Sequence, residues 1–306
     1  MAMPDRLSRR ELLAASLALP AAGHSSSWNT PVPLGKTGLK VTRLAFGCEE
    51  VRDPKLIRRA ADLGIAYLNC LPPRRENEYS AAPVVREALK PIRGRVVLSS
   101  GTSRRSRGEI SADLDRHLRA FGTDYLDVFY LIAASKAEHL SDDVLEGLRA
   151  ARQSGKIRAC GVTTHRLDSV LPPLLDSRAI DAVMLTFNFS LADARPTLFQ
   201  EVIGGGGRLE AIARLRKAGV GIVAMKPLMA GLSKDIVPPE RRAWYESLDS
   251  VAKRRAALSA ALKWAVRSEH VDTAPVLMSS VEQLEANVRT AAEPFTEADL
   301  QALAPL

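Results

Sequence analysis

Eight short apolar runs recur along the chain, each parted from the next by a helical or loop pattern, and this alternation limits the fold more than any other feature. The runs are LAFG (44–47), AYLN (66–69), RVVLSS (95–100), LDVFYLI (126–132), IRACGV (157–162), DAVMLT (181–186), GIVAM (221–225) and DTAPVL (272–277). Runs this short and this apolar suit strands buried on both faces of a parallel sheet. Between them, LIRRAADLG (56–64), LDRHLRAFG (114–122) and LEAIARLRKAG (209–219) carry one apolar stripe each and stop at a glycine, the pattern of an amphipathic helix with a glycine C-cap. Eight such units in 306 residues predict an α/β fold, a (β/α)8 TIM barrel. PLGKTGLKV (33–41) reads as a tight hairpin ahead of the first barrel strand. A doubly wound open sheet is the alternative, but FGCEE (46–50) lacks the glycine-rich turn that fold wants after its first strand. GGGG (204–207) reads as a flexible loop, since no Lys-Ser or Lys-Thr follows it as in a phosphate-binding P-loop.

The N-terminus carries a separate message. SRRELL (8–13) sets twin arginines before a short apolar stretch that starts at Leu12, with small residues Ala21, Ala22 and Gly23 beyond it. This is the pattern of a Tat-type export signal. The apolar part is too short to span a bilayer. The expected organisation is a signal peptide over residues 1–23, a polar linker over 24–32 and a barrel over 33–306, with a periplasmic or extracellular destination.

Formal charge is +8, which favours anionic ligands in general. The basic residues are mostly scattered, which speaks against nucleic-acid binding. Cys48, Cys70 and Cys160 are too far apart in sequence for a zinc or iron–sulfur spacing. An odd count leaves at least one free thiol in an oxidising compartment, and Cys48 and Cys70, which end adjacent predicted strands, read as two small buried residues rather than a disulfide. No H-E-x-x-H, G-x-S-x-G or C-x-x-C occurs, so hydrolase and thiol-redox chemistry have no motif behind them. Function in a barrel of this kind sits on the loops after the C-terminal strand ends. Arg74, Arg75, Arg104, Arg105 and Arg107 fall on two such loops, where convergent guanidinium groups would hold a small anion. A protein partner is a second candidate for that basic rim.

Several segments together resemble the aldo-keto reductases. PLGKTGLKVTRLAFGC is similar to that family's opening hairpin and first strand, and LDRHLRAFGTDYLDVFYL to its third helix and fourth strand. SGKIRACGV, GVGIVAMKPLMAGL and SSVEQLEANV resemble the fifth strand, the seventh strand and the last helix. The MKPL form resembles a subgroup often fused to a ferredoxin-like tail, although the cysteines of such a tail are missing. The resemblance implies carbonyl reduction with NADPH by four side chains: a proton-donating Tyr, a Lys and a His that tune it, and an Asp paired with the Lys. Carried over by position, the Asp falls on Asn69, the Tyr on Arg74, the Lys on Gly101 and the His on Ile132. All four are replaced; Tyr79 lies near in sequence but off the matching position. The resemblance also places a cofactor site at Thr163, Thr164, Asn188, Lys226, Pro227, Leu228, Gly231, Ser279, Ser280 and Asn287. Gln283 stands where a basic residue often grips the 2′-phosphate, Met184 where a Gln is usual, and Met225 where an aromatic ring often stacks on nicotinamide. The expectation is an exported family member with a degenerate acid–base set, a weak NADP site, no metal or iron–sulfur cluster, and a basic ligand-binding mouth. The alternative is an NAD(P)-dependent oxidoreductase with a non-standard acid.

Overall fold

The computed structural model describes residues 27–72, 81–189, 208–228 and 242–303. The proposed signal peptide, Arg74, Arg75, Tyr79, the GGGG loop and Gly231 lie outside the described residues. The expected linker is anchored in its second half: Trp28 is buried, its carbonyl accepts from the Arg43 amide, and Val32 opens the first strand.

Strands β1 (Val32–Pro33) and β2 (Lys40–Val41) pair antiparallel as the expected hairpin. Its turn carries Leu34, which with Val41 is fully buried, and both pack into the interior cluster of the barrel. Gly35 makes this docking feasible: it sits at φ +51°, and a Cβ there would stand 2.3 Å from the Gly221 amide nitrogen. The hairpin therefore plugs the N-terminal end of the barrel and leaves the opposite end for ligands.

The barrel strands are β3 (Leu44–Gly47), β4 (Tyr67–Asn69), β5 (Val97–Thr102), β6 (Leu126–Leu131), β7 (Ile157–Thr164), β8 (Ala182–Thr186), β9 (Gly221–Met225) and β10 (Ala274–Leu277). They form one parallel sheet in the order β10-β3-β4-β5-β6-β7-β8-β9. A parallel bridge between Val223 and Thr273 joins the two edges, with Asp272 N donating to Ile222 O at 2.7 Å and Ala224 N to Thr273 O at 2.9 Å. The sheet is thus a closed ring, which excludes the doubly wound alternative. β5 begins two residues later than the apolar run suggests. Residues Arg93–Arg95 form a 3-10 turn instead, because Arg93 donates to Thr123 and Tyr125 and Arg95 to Ala61 and Asp62.

Helices cover the ring: α1 (Pro54–Asp62), α2 (Ala82–Leu89), α3 (Arg107–Phe121), α4 (Asp142–Gln153), α5 (Leu167–Ser177), α6 (Arg208–Lys217), α7 (Arg242–Ser247), α8 (Val251–Arg267), α9 (Val281–Ala292) and α10 (Glu297–Leu303). Asp53 caps α1 through the Lys55 amide, ahead of Pro54 at the first position. The three glycine stops, Gly64, Gly122 and Gly219, all adopt positive φ, the left-handed conformation a helix exit of this type needs.

Three aspartates tie the strand starts together. Asp127 accepts from the Leu98 amide and from Arg93 and Arg158. Asp181 accepts from the Cys160 amide and pairs with Arg152. Asp272 accepts from the Ile222 amide and Arg216. Each carboxylate bonds the backbone of a neighbouring strand, a charge-assisted tie that fixes register at the closed end.

Candidate ligand site at the barrel mouth

Alternation along the strands decides which side chains line the interior. Tyr67 and Asn69 of β4, Ser99 and Gly101 of β5, Tyr130 of β6 followed by Ile132, and Gly161 and Thr163 of β7 share the inward parity. Asn69 and Ile132 are 6% and 8% exposed, at the floor of the mouth. Three of the four positions carried over from the resemblance thus lie on neighbouring strands at the C-terminal end, as expected. The fourth, Arg74, is outside the described residues.

Tyr130 dominates the floor. Its register partners are Gly101 on one side and Gly161 on the other. A Cβ at 161 would lie 2.4 Å from a Tyr130 ring carbon, and a Cβ at 101 would lie 2.6 Å from the Tyr130 carbonyl and 3.0 Å from Ile132 Cγ1. The Tyr130 hydroxyl meets the Tyr67 hydroxyl at 2.9 Å, and both rings are fully buried. On the neighbouring strand the Ser99 hydroxyl reaches Asn69 Oδ1 at 3.1 Å. Burial pushes both phenols well above their ordinary pKa. Sequence reading passed over Tyr67 and Tyr130. The signal was there in the period-two spacing from Asn69 and Ile132, and in two glycines inside strands, which mark close approach of a neighbour.

The arginines expected to converge on an anion are partly occupied. Arg104 faces Glu109 at 3.8 Å, and Arg107 faces Glu146 at 3.8 Å. Arg105 folds inward, donating to Ile132 O at 2.5 Å and to Arg104 O at 2.9 Å. Its pKa is lowered by burial alone, and its Nε is buried without a partner. The described part of the cluster is therefore one inward cation and two outer ion pairs, not an open fork. His165 is half-buried and bonded through Nδ1 to Thr186 Oγ1 at 2.8 Å. Cys48 and Cys70 are free thiols in contact on adjacent strands; burial, then the hydrogen bond to Cys70, pushes the Cys48 thiol up. Both are fully buried, as the small-residue reading expected. Among the described residues no group of three or more His, Cys, Asp or Glu could hold a metal ion, and no helix is long and apolar enough to cross a membrane.

A profile of the aldo/keto reductase family matches residues 49–306. The chain belongs to the aldo/keto reductase family. It is 25% identical over 301 residues to an L-galactose dehydrogenase from Arabidopsis thaliana, covering 85% of this chain and 87% of that protein. It is 24% identical over 308 residues to an L-glyceraldehyde 3-phosphate reductase from Escherichia coli strain K12, covering 83% and 85%. Among solved structures, an aldo-keto reductase from Bacillus halodurans in its holo form superposes with a TM-score of 0.66 at 24% identity, covering 90% of this chain and 95% of that one. An aldo-keto reductase from Klebsiella pneumoniae in complex with NADPH gives a TM-score of 0.67 at 18% identity, covering 90% and 93%.

The family's cofactor positions can be tested against the side chains present. Thr163 Oγ1 accepts from the Ala133 amide at 2.8 Å, while Thr164 Oγ1 donates to Ala134 O at 2.6 Å and accepts from the Arg166 amide at 2.9 Å. Both hydroxyls hold the loops after β6 and β7. Asn188 is fully buried and donates to Lys226 O at 3.1 Å, fastening a backbone that runs at φ +57°. Pro227 is buried and Leu228 packs on the core. Ser280 caps α9 through the Gln283 amide. The Gln283 carboxamide oxygen in turn accepts from Ser279 N at 2.9 Å and Ser279 Oγ at 3.0 Å. Asn287 is half-buried on the same helix. Gln283 brings no positive charge and already satisfies the Ser279 donors, so these residues do not fit a tightly held 2′-phosphate.

Proposed function

We propose that this family member is carried out of the cytoplasm by the twin-arginine segment at residues 1–23 and does not reduce carbonyls by the family's acid–base route. Its mouth binds a small anionic ligand. The observation that carries this reading is the Gly101–Tyr130–Gly161 arrangement. A lysine at 101 has no room, since its first side-chain atom would collide with Tyr130, and Ile132 offers neither proton nor charge. A positioned general acid supplies roughly 10²–10⁴-fold in rate, and hydride arriving at an unactivated carbonyl needs a donor for the developing oxyanion. The phenols of Tyr67 and Tyr130 are fully buried and do not reach a substrate. Arg105, half-buried with no carboxylate partner among the described residues, provides the positive charge for the ligand, and Arg74, Arg75 and Arg104 are the further candidates for it.

NADP is held weakly in this reading, because Gln283 closes on Ser279. The names of the relatives, a dehydrogenase and a reductase, favour a second reading: an NAD(P)-dependent oxidoreductase with a different proton donor. Titration of NADPH into the purified mature chain, followed by the fluorescence of the reduced cofactor, separates the two. The first reading expects no saturation at micromolar cofactor. Saturable micromolar binding would favour the oxidoreductase.

A further inference from the structure

Hydroxyl groups beneath the mouth set what the floor offers to a ligand. Among the described residues Tyr130 Oη has one hydrogen-bond partner, Tyr67 Oη at 2.9 Å, so the two phenols satisfy each other in the interior. The Ser99 hydroxyl, on the strand beside Asn69, lies 3.1 Å from Asn69 Oδ1 and 3.3 Å from Leu68 O, and the shorter contact takes the proton. The carboxamide oxygen of Asn69 is thereby turned inward, and its NH2 group, which has no partner among the described residues, faces the mouth.

We propose that Asn69 is a hydrogen-bond donor for a ligand carboxylate at the floor of the barrel, oriented by the Ser99 hydroxyl. This deepens the reading of the mouth as an anion site and rests on it. The surroundings agree. Leu71 and Ile132, both 8% exposed, give the floor apolar walls in which a charged hydrogen bond strengthens. Two strands away, Arg105 brings an inward guanidinium to the Ile132 carbonyl. Glu49 lies in the turn that follows β3, and burial, then the charge of Glu50, raises its pKa. Ser99 is the positioning residue in this scheme; Asn69 touches the ligand.

The test uses the full mature chain, labelled with nitrogen-15, and pyruvate as the probe, with its uncharged amide pyruvamide as the counterpart. The Asn69 side-chain NH2 signals should move on saturation with pyruvate and less so with pyruvamide. Asn69→Asp, which swaps the donor for a carboxylate, should weaken pyruvate binding about ten-fold or more, the loss expected for a hydrogen bond to a charged acceptor. Ser99→Ala should shift the NH2 signals of the ligand-free protein and weaken pyruvate a few-fold, a readout that mere loss of packing would not give. Pyruvate that binds without touching the Asn69 signals, with Asn69→Asp unaffected, overturns this inference and leaves the basic mouth standing. If no saturable binding is seen, the inference and the anion-site reading both fall.

Discussion

Glycine at 161 is a statement about Tyr130. Replacing Gly161 by alanine puts a carbon 2.4 Å from a fully buried ring, an overpacking that costs about 1–3 kcal/mol. Urea unfolding of Gly161→Ala should show that loss, while Gly94→Ala, where a Cβ meets nothing within 4 Å, should leave the midpoint almost unmoved. In a Tyr130→Leu background most of the Gly161→Ala cost should vanish, and a double-mutant cycle reads this as coupling. Tyr67→Phe is expected to cost about 1–3 kcal/mol, because it strands the Tyr130 hydroxyl in the barrel interior. At this scale the sequence was only half legible. The resemblance by itself sets Asn69, Gly101 and Ile132 at the acid–base positions. The reason they are mutually consistent is not legible there, since it depends on which ring from β6 fills the space between two strands.

At the scale of elements, the barrel strands and the glycine-closed helices follow from apolar period and stop signals, and the structure places them almost where the runs lie. β5 is the exception, delayed by the side-chain bonds of Arg93 and Arg95, which no periodicity encodes. Trp28 is another, an apolar anchor inside a stretch that reads as polar. The Asp–Arg ties at the strand starts were also invisible, because they join residues far apart in sequence. They make a graded prediction. The carboxylates of Asp127, Asp272 and Asp181 are 1%, 6% and 26% exposed. Truncating Asp127 leaves Arg93 with the buried Leu98 amide and no counter-charge, which should cost about 3–5 kcal/mol. Asp272→Ala should come next and Asp181→Ala last, because solvent screens the exposed pair. Thermal melts of the three single variants check the order.

For the molecule as a whole, two histidines shape stability on the acid side. His117, on the inner face of α3, is bonded to Ser100 at 2.7 Å, and its pKa is held below the ordinary value by burial, with Asp113 opposing. His270 is lowered in the same way, with Glu269 opposing. A histidine whose folded pKa lies below its unfolded value resists protonation in the native state. Its contribution is complete above the unfolded pKa of about 6.5 and is lost as pH falls below it. Urea midpoints should therefore be flat from pH 8 to roughly pH 7 and decline below about 6.5. His117→Gln should flatten that decline.

The central claim is that the barrel interior has been refilled so that the family's proton-transfer chemistry has no seat. Its most direct test is steady-state oxidation of NADPH by the purified protein with simple aldehydes, aldoses and triose phosphates. No turnover above the protein-free background is the result expected here. Sustained turnover would contradict it: turnover that survives Tyr67→Phe would assign the proton to a donor at the mouth, and turnover lost in that variant would assign it to the Tyr67 phenol.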